Sequence, residues 1–259
     1  MLGIQIAIGA LNDHVDRHRD AVEKPGKPIP AGLATGRQAL ALTVAAGGAG
    51  LALSAVSGLP TLLAIGFALA MGVTYDLRLS RTAWSWLPLA LALPVVPIHA
   101  WLGATGSVPP GLLGLVPTGV LAGAMLAIAN GLVDVERDAR SNRPGVVVAL
   151  GVRLGWLVHA VLLATGVALA LGLARDVPSG GGSGGGESPG PTVLPIELLR
   201  SLRTWGMVVG VAALAFGAVA LRAASPAIRE RGWELEAVGV AGVGLGWLAG
   251  TAAGSGGGL

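Results

Sequence analysis

The chain has 259 residues, 53% of them hydrophobic and only 12% charged, with a mean hydropathy of +0.73 and a formal net charge of +3. A typical soluble domain carries about 25% charged residues, so this composition excludes a soluble fold, and the lack of cysteine excludes disulfides and thiolate metal sites. The sequence pI near 10.2 points to anionic lipid headgroups; a nucleic-acid partner is excluded because it would need a basic soluble face, and none exists here.

The chain opens with an apolar run, residues 1–11. Eleven helical residues reach only about 16 Å, roughly half of a 30 Å hydrocarbon core. No basic region precedes the run and no small-residue cleavage site follows it, which argues against a signal peptide. The expectation is the cytoplasmic half of a helix that begins upstream of this chain.

"NDHVDRHRD" (12–20) follows at once, then the basic, proline-containing "KPGKPIPAG" (24–32). Apolar blocks come next at 39–55, 59–73, 87–103, 112–133, 155–174, 205–221 and 237–253. Each approaches or exceeds the roughly 17–25 residues that a helix needs to span a bilayer. A closed barrel would need short segments of strict alternation, and nothing here alternates. The predicted fold class is therefore all-α, a polytopic transmembrane helical bundle forming one domain over 1–259. Its 43 glycines are read as points of close helix contact. "PSGGGSGGGESPGP" (178–191) is read as a flexible external loop, and the tail "GSGGGL" likewise.

If each block crosses once, fourteen of the seventeen Lys and Arg residues fall on one side, among them Arg17, Arg19, Lys24, Lys27, Arg37, Arg137, Arg143 and Arg229. Only Arg175, Arg200 and Arg203 fall on the other. The positive-inside rule makes the first side cytoplasmic, with the cell membrane the expected location. Trp84, Trp86, Trp101, Trp205 and Trp233 near block ends agree with interfacial belts.

Eight acids share the basic side, in loops by this layout, and two groups repeat one spacing: Asn12, Asp16 and Asp20, then Asn130, Asp134 and Asp138 in "NGLVDVERD". Steps of four place each NxxxDxxxD set within about 80° on one helix face. Two facing sets of hard oxygen ligands suit Mg²⁺, which pairs a few carboxylates with substrate phosphate oxygens. Asp16, Asp20, Asp134 and Asp138 are the candidate catalytic carboxylates, and Asn12, Asp13 and Asn130 join them as candidate metal ligands. Lys24, Lys27, Arg78, Arg81 and Tyr75 are the candidates for holding a diphosphate. Glu136, two steps from Asp134, is rotated about 200° away. Tyr75 and Asp76 either line a cavity or cap a membrane helix. His14 and His18 point roughly 200° from Asn12 and Asp16 and are read as loop histidines, while His99 and His159, within apolar blocks, either act in function or hydrogen-bond a neighbouring helix.

Together these motifs resemble the UbiA-type intramembrane prenyltransferases. "NDHVDRHRD" fits that family's NDxxDxxxD at Asn12, Asp13, Asp16 and Asp20, "KPGKPIPAG" is similar to its basic run, "DVERD" to its second acidic motif and "YDLRLSR" (75–81) to its third polar segment. The resemblance implies a nine-helix fold, here lacking the first helix and part of the second, with both motifs above a central cavity. It also implies Mg²⁺-dependent transfer of a prenyl group from a prenyl diphosphate to an aromatic or lipid-precursor acceptor. Two positions depart: Ser80 stands where relatives often carry Lys, and Gly131 where many carry another Asp. The competing classes are a polytopic transporter, a non-catalytic lipid-binding membrane protein, or an inactive copy of the enzyme; a transporter would place its coupling carboxylates near mid-membrane.

Overall fold

The structure, a computed structural model, describes residues 1–108, 110–140, 145–175 and 195–254. Arg143, the loop 178–191 and the tail from 255 lie outside the described residues. Among the described residues there is no strand. The helices are α1 (Leu2–Glu23), α2 (Gly36–Val56), α3 (Leu59–Leu77), α4 (Leu87–Ala92), α5 (Val95–Thr105), α6 (Pro110–Leu113), α7 (Leu115–Arg140), α8 (Val146–Leu150), α9 (Val152–Arg175), α10 (Ile196–Ala220) and α11 (Pro226–Gly254), with a 3-10 turn at Leu79–Arg81.

Six helical stretches among the described residues are long and apolar enough to cross a membrane: Gly36–Val56, Leu59–Leu77, Leu87–Thr105, Gly111–Arg140, Val152–Ala174 and Glu197–Ala220. The all-α membrane bundle expected from composition is observed. The seventh expected block, 237–253, is helical and forms the C-terminal part of α11. The block 87–103 is not one helix. It breaks between α4 and α5 at Pro94, whose ring nitrogen cannot donate to the carbonyl four residues earlier.

The acidic runs, expected in loops, are instead helical. Residues 12–20 belong to α1, continuous with the apolar run before them, and 130–138 belong to the last turns of α7. A polar helix end of this kind stays ordered because its backbone bonds are made internally whether or not lipid surrounds it.

α1 and α2 form an antiparallel hairpin through close backbone approach. A Cβ on Gly3 would stand 2.7 Å from the Ala46 carbonyl oxygen, and one on Gly50 would stand 2.9 Å from Ile4 Cδ1. The start of α2 is fixed by a reciprocal cap: the Thr35 hydroxyl accepts from the Gln38 N–H at 3.2 Å, and Gln38 Oε1 accepts from the Thr35 N–H at 2.8 Å. The long helix α7 is central, packing against α4, α9 and α11. Its Met125 and Leu126 join Leu214 of α10 and Val243 of α11 in the main apolar core. Trp233 of α11 donates to the Leu126 carbonyl at 3.2 Å.

Candidate functional site

A cavity of about 370 Å³ lies between α1, α3, α4, α7 and α8. One part of its wall is apolar, built by Ile4 and Ile8 of α1, Ala68 of α3 and Leu89, Ala92 and Leu93 of α4. The other part is polar, with Tyr75, Ser80, Ser85, Asn130 and Asp138. That division follows from sequence, because α1 and α7 each change from apolar to charged over their final turns.

The acids of α1 do not line this cavity; they cluster near α3 and the turn after α1. The Asn12 amide donates to Asp76 of α3 at 3.1 Å, and Asp76 is buried. Asp16, also buried, accepts from Arg19 at 2.8 Å and has Arg81 at 3.7 Å. Lys27 reaches back from the turn after α1 to bridge Asp13 at 2.9 Å and Asp20 at 2.8 Å. Asp20 is wholly buried, and its Oδ1 makes no hydrogen bond. Burial alone would depress the Lys27 pKa; the hydrogen bonds and charges of Asp13 and Asp20 outweigh it and hold this ammonium above the ordinary lysine value.

From α7, Asn130 and Asp138 line the cavity, while Asp134 accepts from Arg137 at 2.7 Å. Tyr75 stands within reach of charge from both acidic motifs, from Asp16 of α1 and Asp138 of α7, as well as from its neighbour Asp76. Ser85 lies nearby and accepts from the Val146 N–H at 3.1 Å. Gly131, where the family pattern suggests an acid, also lines the cavity. Any side chain there would begin 2.8 Å from Val147 Cγ2, so α8 occupies the space.

The remaining predicted residues stand as follows. Arg78 is exposed and Arg81 half-exposed at the C-terminal end of α3, and Lys24 caps α1 through its backbone N–H on the Asp20 carbonyl. Among the described residues neither Lys24 nor Arg78 pairs with a carboxylate. Glu136 points away from the cavity and accepts from Arg229 at 2.6 Å, as its rotation on the helix requires. His14 and His18 are helical rather than in a loop; the His14 ring donates to the Gly36 carbonyl at 2.7 Å and so anchors α2. His99 meets Ser54 at 3.1 Å, and buried His159 meets buried Glu236 at 3.1 Å, so both bind neighbouring helices. Sequence reasoning missed Gln5 and Ser85, which line the cavity, and Glu236, the partner of His159. A lone amide in the apolar run 1–11 and a carboxylate abutting the block 237–253 were the available signals.

Among the described residues no three carboxylates or imidazoles lie together as a ready metal-binding cluster. The donor set nevertheless fits a hard cation. An ammonium already bridges Asp13 and Asp20, and buried oxygens of Asp20 and Asp76 remain without hydrogen-bond partners.

Comparison of the sequence with curated proteins yields no match. Among solved structures, the apo structure of a UbiA homolog from Aeropyrum pernix K1 has a similar fold, with a TM-score of 0.64 and 19% identity over 93% of this chain and 84% of that chain. A model of the UbiA prenyltransferase family matches residues 1–186, a stretch that contains both acidic motifs and the helices α1 to α8 around the cavity. On that match, the chain belongs to the UbiA prenyltransferase family.

Proposed function

We propose that this intramembrane prenyltransferase takes an allylic prenyl diphosphate, transfers its prenyl group to an aromatic or lipid-precursor acceptor, and releases diphosphate with the help of Mg²⁺. The observation that carries this reading is the two-part cavity, in which acids from α1 and α7 act on one tyrosine at the polar end and an apolar wall continues beyond them. A prenyl diphosphate has the same division of character.

Asn12, Asp13, Asp16 and Asp20 on one side, and Asn130, Asp134 and Asp138 on the other, would hold the metal. Bound there, Mg²⁺ supplies neutralisation of the charge that builds on a departing diphosphate. The chain's own residues do the rest. Lys24, Lys27, Arg78 and Arg81 offer N–H donors to diphosphate oxygens, the strongest class of hydrogen bond available to them. Asn12, by donating to Asp76, keeps that buried carboxylate oriented beside Tyr75. Ile4, Ile8, Ala68, Leu89 and Leu93 line the room for the prenyl chain and keep water from the allylic carbon once its bond to oxygen weakens. The basic residues on the motif side support a location of this chemistry at the cytoplasmic face of the cell membrane.

The test is release of diphosphate from a radiolabelled prenyl diphosphate by the purified full chain with Mg²⁺ and a panel of acceptors. Asp16→Asn and Asp134→Asn are each expected to lower the rate by about 100-fold or more, the scale of losing one electrostatic contact to a developing charge. Full activity in the double variant overturns the assignment of these acids. Movement of a solute across sealed vesicles with no covalent product overturns the prenyltransferase reading.

A further inference from the structure

A second cavity, of about 350 Å³, lies on the far side of α7 from the first. Its walls are Leu132, Val135 and Glu136 of α7, Val152 and Trp156 at the start of α9, Leu221 to Ala223 just past α10, and Arg229 in the first turns of α11. The spans of α9 and α10 run Val152–Ala174 and Glu197–Ala220, so this cavity sits where membrane-spanning helices end. It opens at the same end of the bundle as the acidic motifs, because α7 carries both.

Two guanidinium groups serve it. Arg222 is exposed and lies 5.5 Å from the Trp156 ring centroid; among the described residues no carboxylate pairs with it. Arg229 is only 9% exposed. It donates to the carbonyls of Ala223 at 3.4 Å, Ala224 at 3.3 Å and Val133 at 3.4 Å and to Glu136 at 2.6 Å, yet its Nε has no hydrogen-bond partner. Against these two positive charges the wall sets one carboxylate, leaving the cavity cationic. Its remaining surface is apolar. An inorganic anion has no use for apolar walls, and a neutral lipid has no use for a surplus arginine stacked on an interfacial tryptophan. An anionic phosphate ester joined to acyl chains uses both. The volume falls within the roughly 300–1,000 Å³ of small-ligand sites, which suits a headgroup with its first methylenes.

From this geometry we propose that the cavity behind α7 is a binding site for an anionic phospholipid, with Arg222 and Arg229 holding the headgroup phosphate and Leu132, Val135, Val152 and Leu221 receiving the start of the acyl chains. Glu136 is then the lipid's competitor for Arg229. This site is independent of the chemistry proposed for the first cavity.

The experiment equilibrates the purified full chain with equal amounts of phosphatidylglycerol and phosphatidylcholine in detergent and counts retained lipids by native mass spectrometry, so that no catalytic activity is read. The wild type is expected to retain phosphatidylglycerol over phosphatidylcholine by about fivefold, the scale of one surplus arginine at a lipid surface. Arg222→Gln should bring that ratio near unity, Glu136→Gln should raise it, and Val135→Phe, which fills the cavity without touching a charge, should reduce retention of phosphatidylglycerol. A wild-type ratio near unity, an unchanged ratio in Arg222→Gln, or undiminished retention in Val135→Phe overturns the site. Displacement of the lipid by excess inorganic phosphate would show that the anion alone is the ligand and overturn the phospholipid assignment.

Discussion

Lys27 is the residue on which the α1 acids depend. Asp20 is fully buried, and its two oxygens have unequal company: Oδ2 accepts from Lys27 at 2.8 Å, whereas Oδ1 has no hydrogen bond. Replacing Lys27 by Met therefore leaves a buried carboxylate with little compensation, a change that costs about 2 kcal/mol once the partial exposure of the lysine is allowed for. Thermal melting in detergent should show Lys27→Met clearly less stable than wild type, and Lys27→Met with Asp20→Asn should recover much of the loss, because the second change removes the stranded charge. The pH dependence has a definite sign. A pKa raised above the ordinary 10.5 means that the Lys27 contribution is complete below that pH and disappears as pH rises through the folded-state value. The stability gap between Lys27→Met and wild type should thus stay level through neutral pH and shrink only under strong alkali. Equal melting of Lys27→Met and wild type at neutral pH would remove Lys27 from this role.

At the scale of elements, the antiparallel pair α10 and α11 is held by backbone contact. A Cβ on Gly210 would lie 2.6 Å from the Val243 nitrogen and 2.9 Å from the Gly239 carbonyl oxygen, and neither backbone atom can yield without parting the helices. Gly244, on the same α11, has nothing within 4 Å of its would-be Cβ. Gly210→Ala is accordingly expected to destabilise by about 1–3 kcal/mol through overpacking, while Gly244→Ala is neutral or gains up to about 1 kcal/mol of helix propensity. Thermal melting of the two variants decides it, and equal effects would mean that the pair is not held by close approach. This contrast also marks the limit of reading elements from sequence. Apolar length located six spans, and steps of four put Asn12, Asp16 and Asp20 on one face. Length could not reveal that Pro94 divides a block. The same arithmetic turned Glu136 away from Asp134 without naming Arg229 as its partner, because that contact joins residues 93 positions apart. Likewise Asn12 finds Asp76 across 64 positions. Such pairings belong to tertiary packing, and no local pattern encodes them.

For the whole molecule, helix packing and basic-residue placement make one joint demand. α1 runs antiparallel to α2, so Glu23 and Gly36 share one end of the bundle, and Val56 stands at the other. The contact of Arg229 with Glu136 and the Ala223 and Ala224 carbonyls puts the connection between α10 and α11 at the end reached by the last turns of α7. Asp16 and Asp138 both act on Tyr75, which brings that end of α7 to the charged end of α1. Val22 and Ala224 must then face the same side of the membrane, opposite Val56, whatever the overall orientation. The expectation from the charge rule is that their side is the cytoplasm. The chain contains no cysteine, so single-cysteine variants report cleanly. Val22→Cys, Ala224→Cys and Val56→Cys all replace exposed residues. A membrane-impermeant maleimide applied to intact cells should label Val56→Cys alone, and applied to inside-out vesicles should label the other two. Labelling of Val22→Cys and Ala224→Cys from opposite sides would place the two acidic motifs on different membrane faces. A cavity served by both could not then exist, and the proposed ionisation of a prenyl diphosphate between them would have no site.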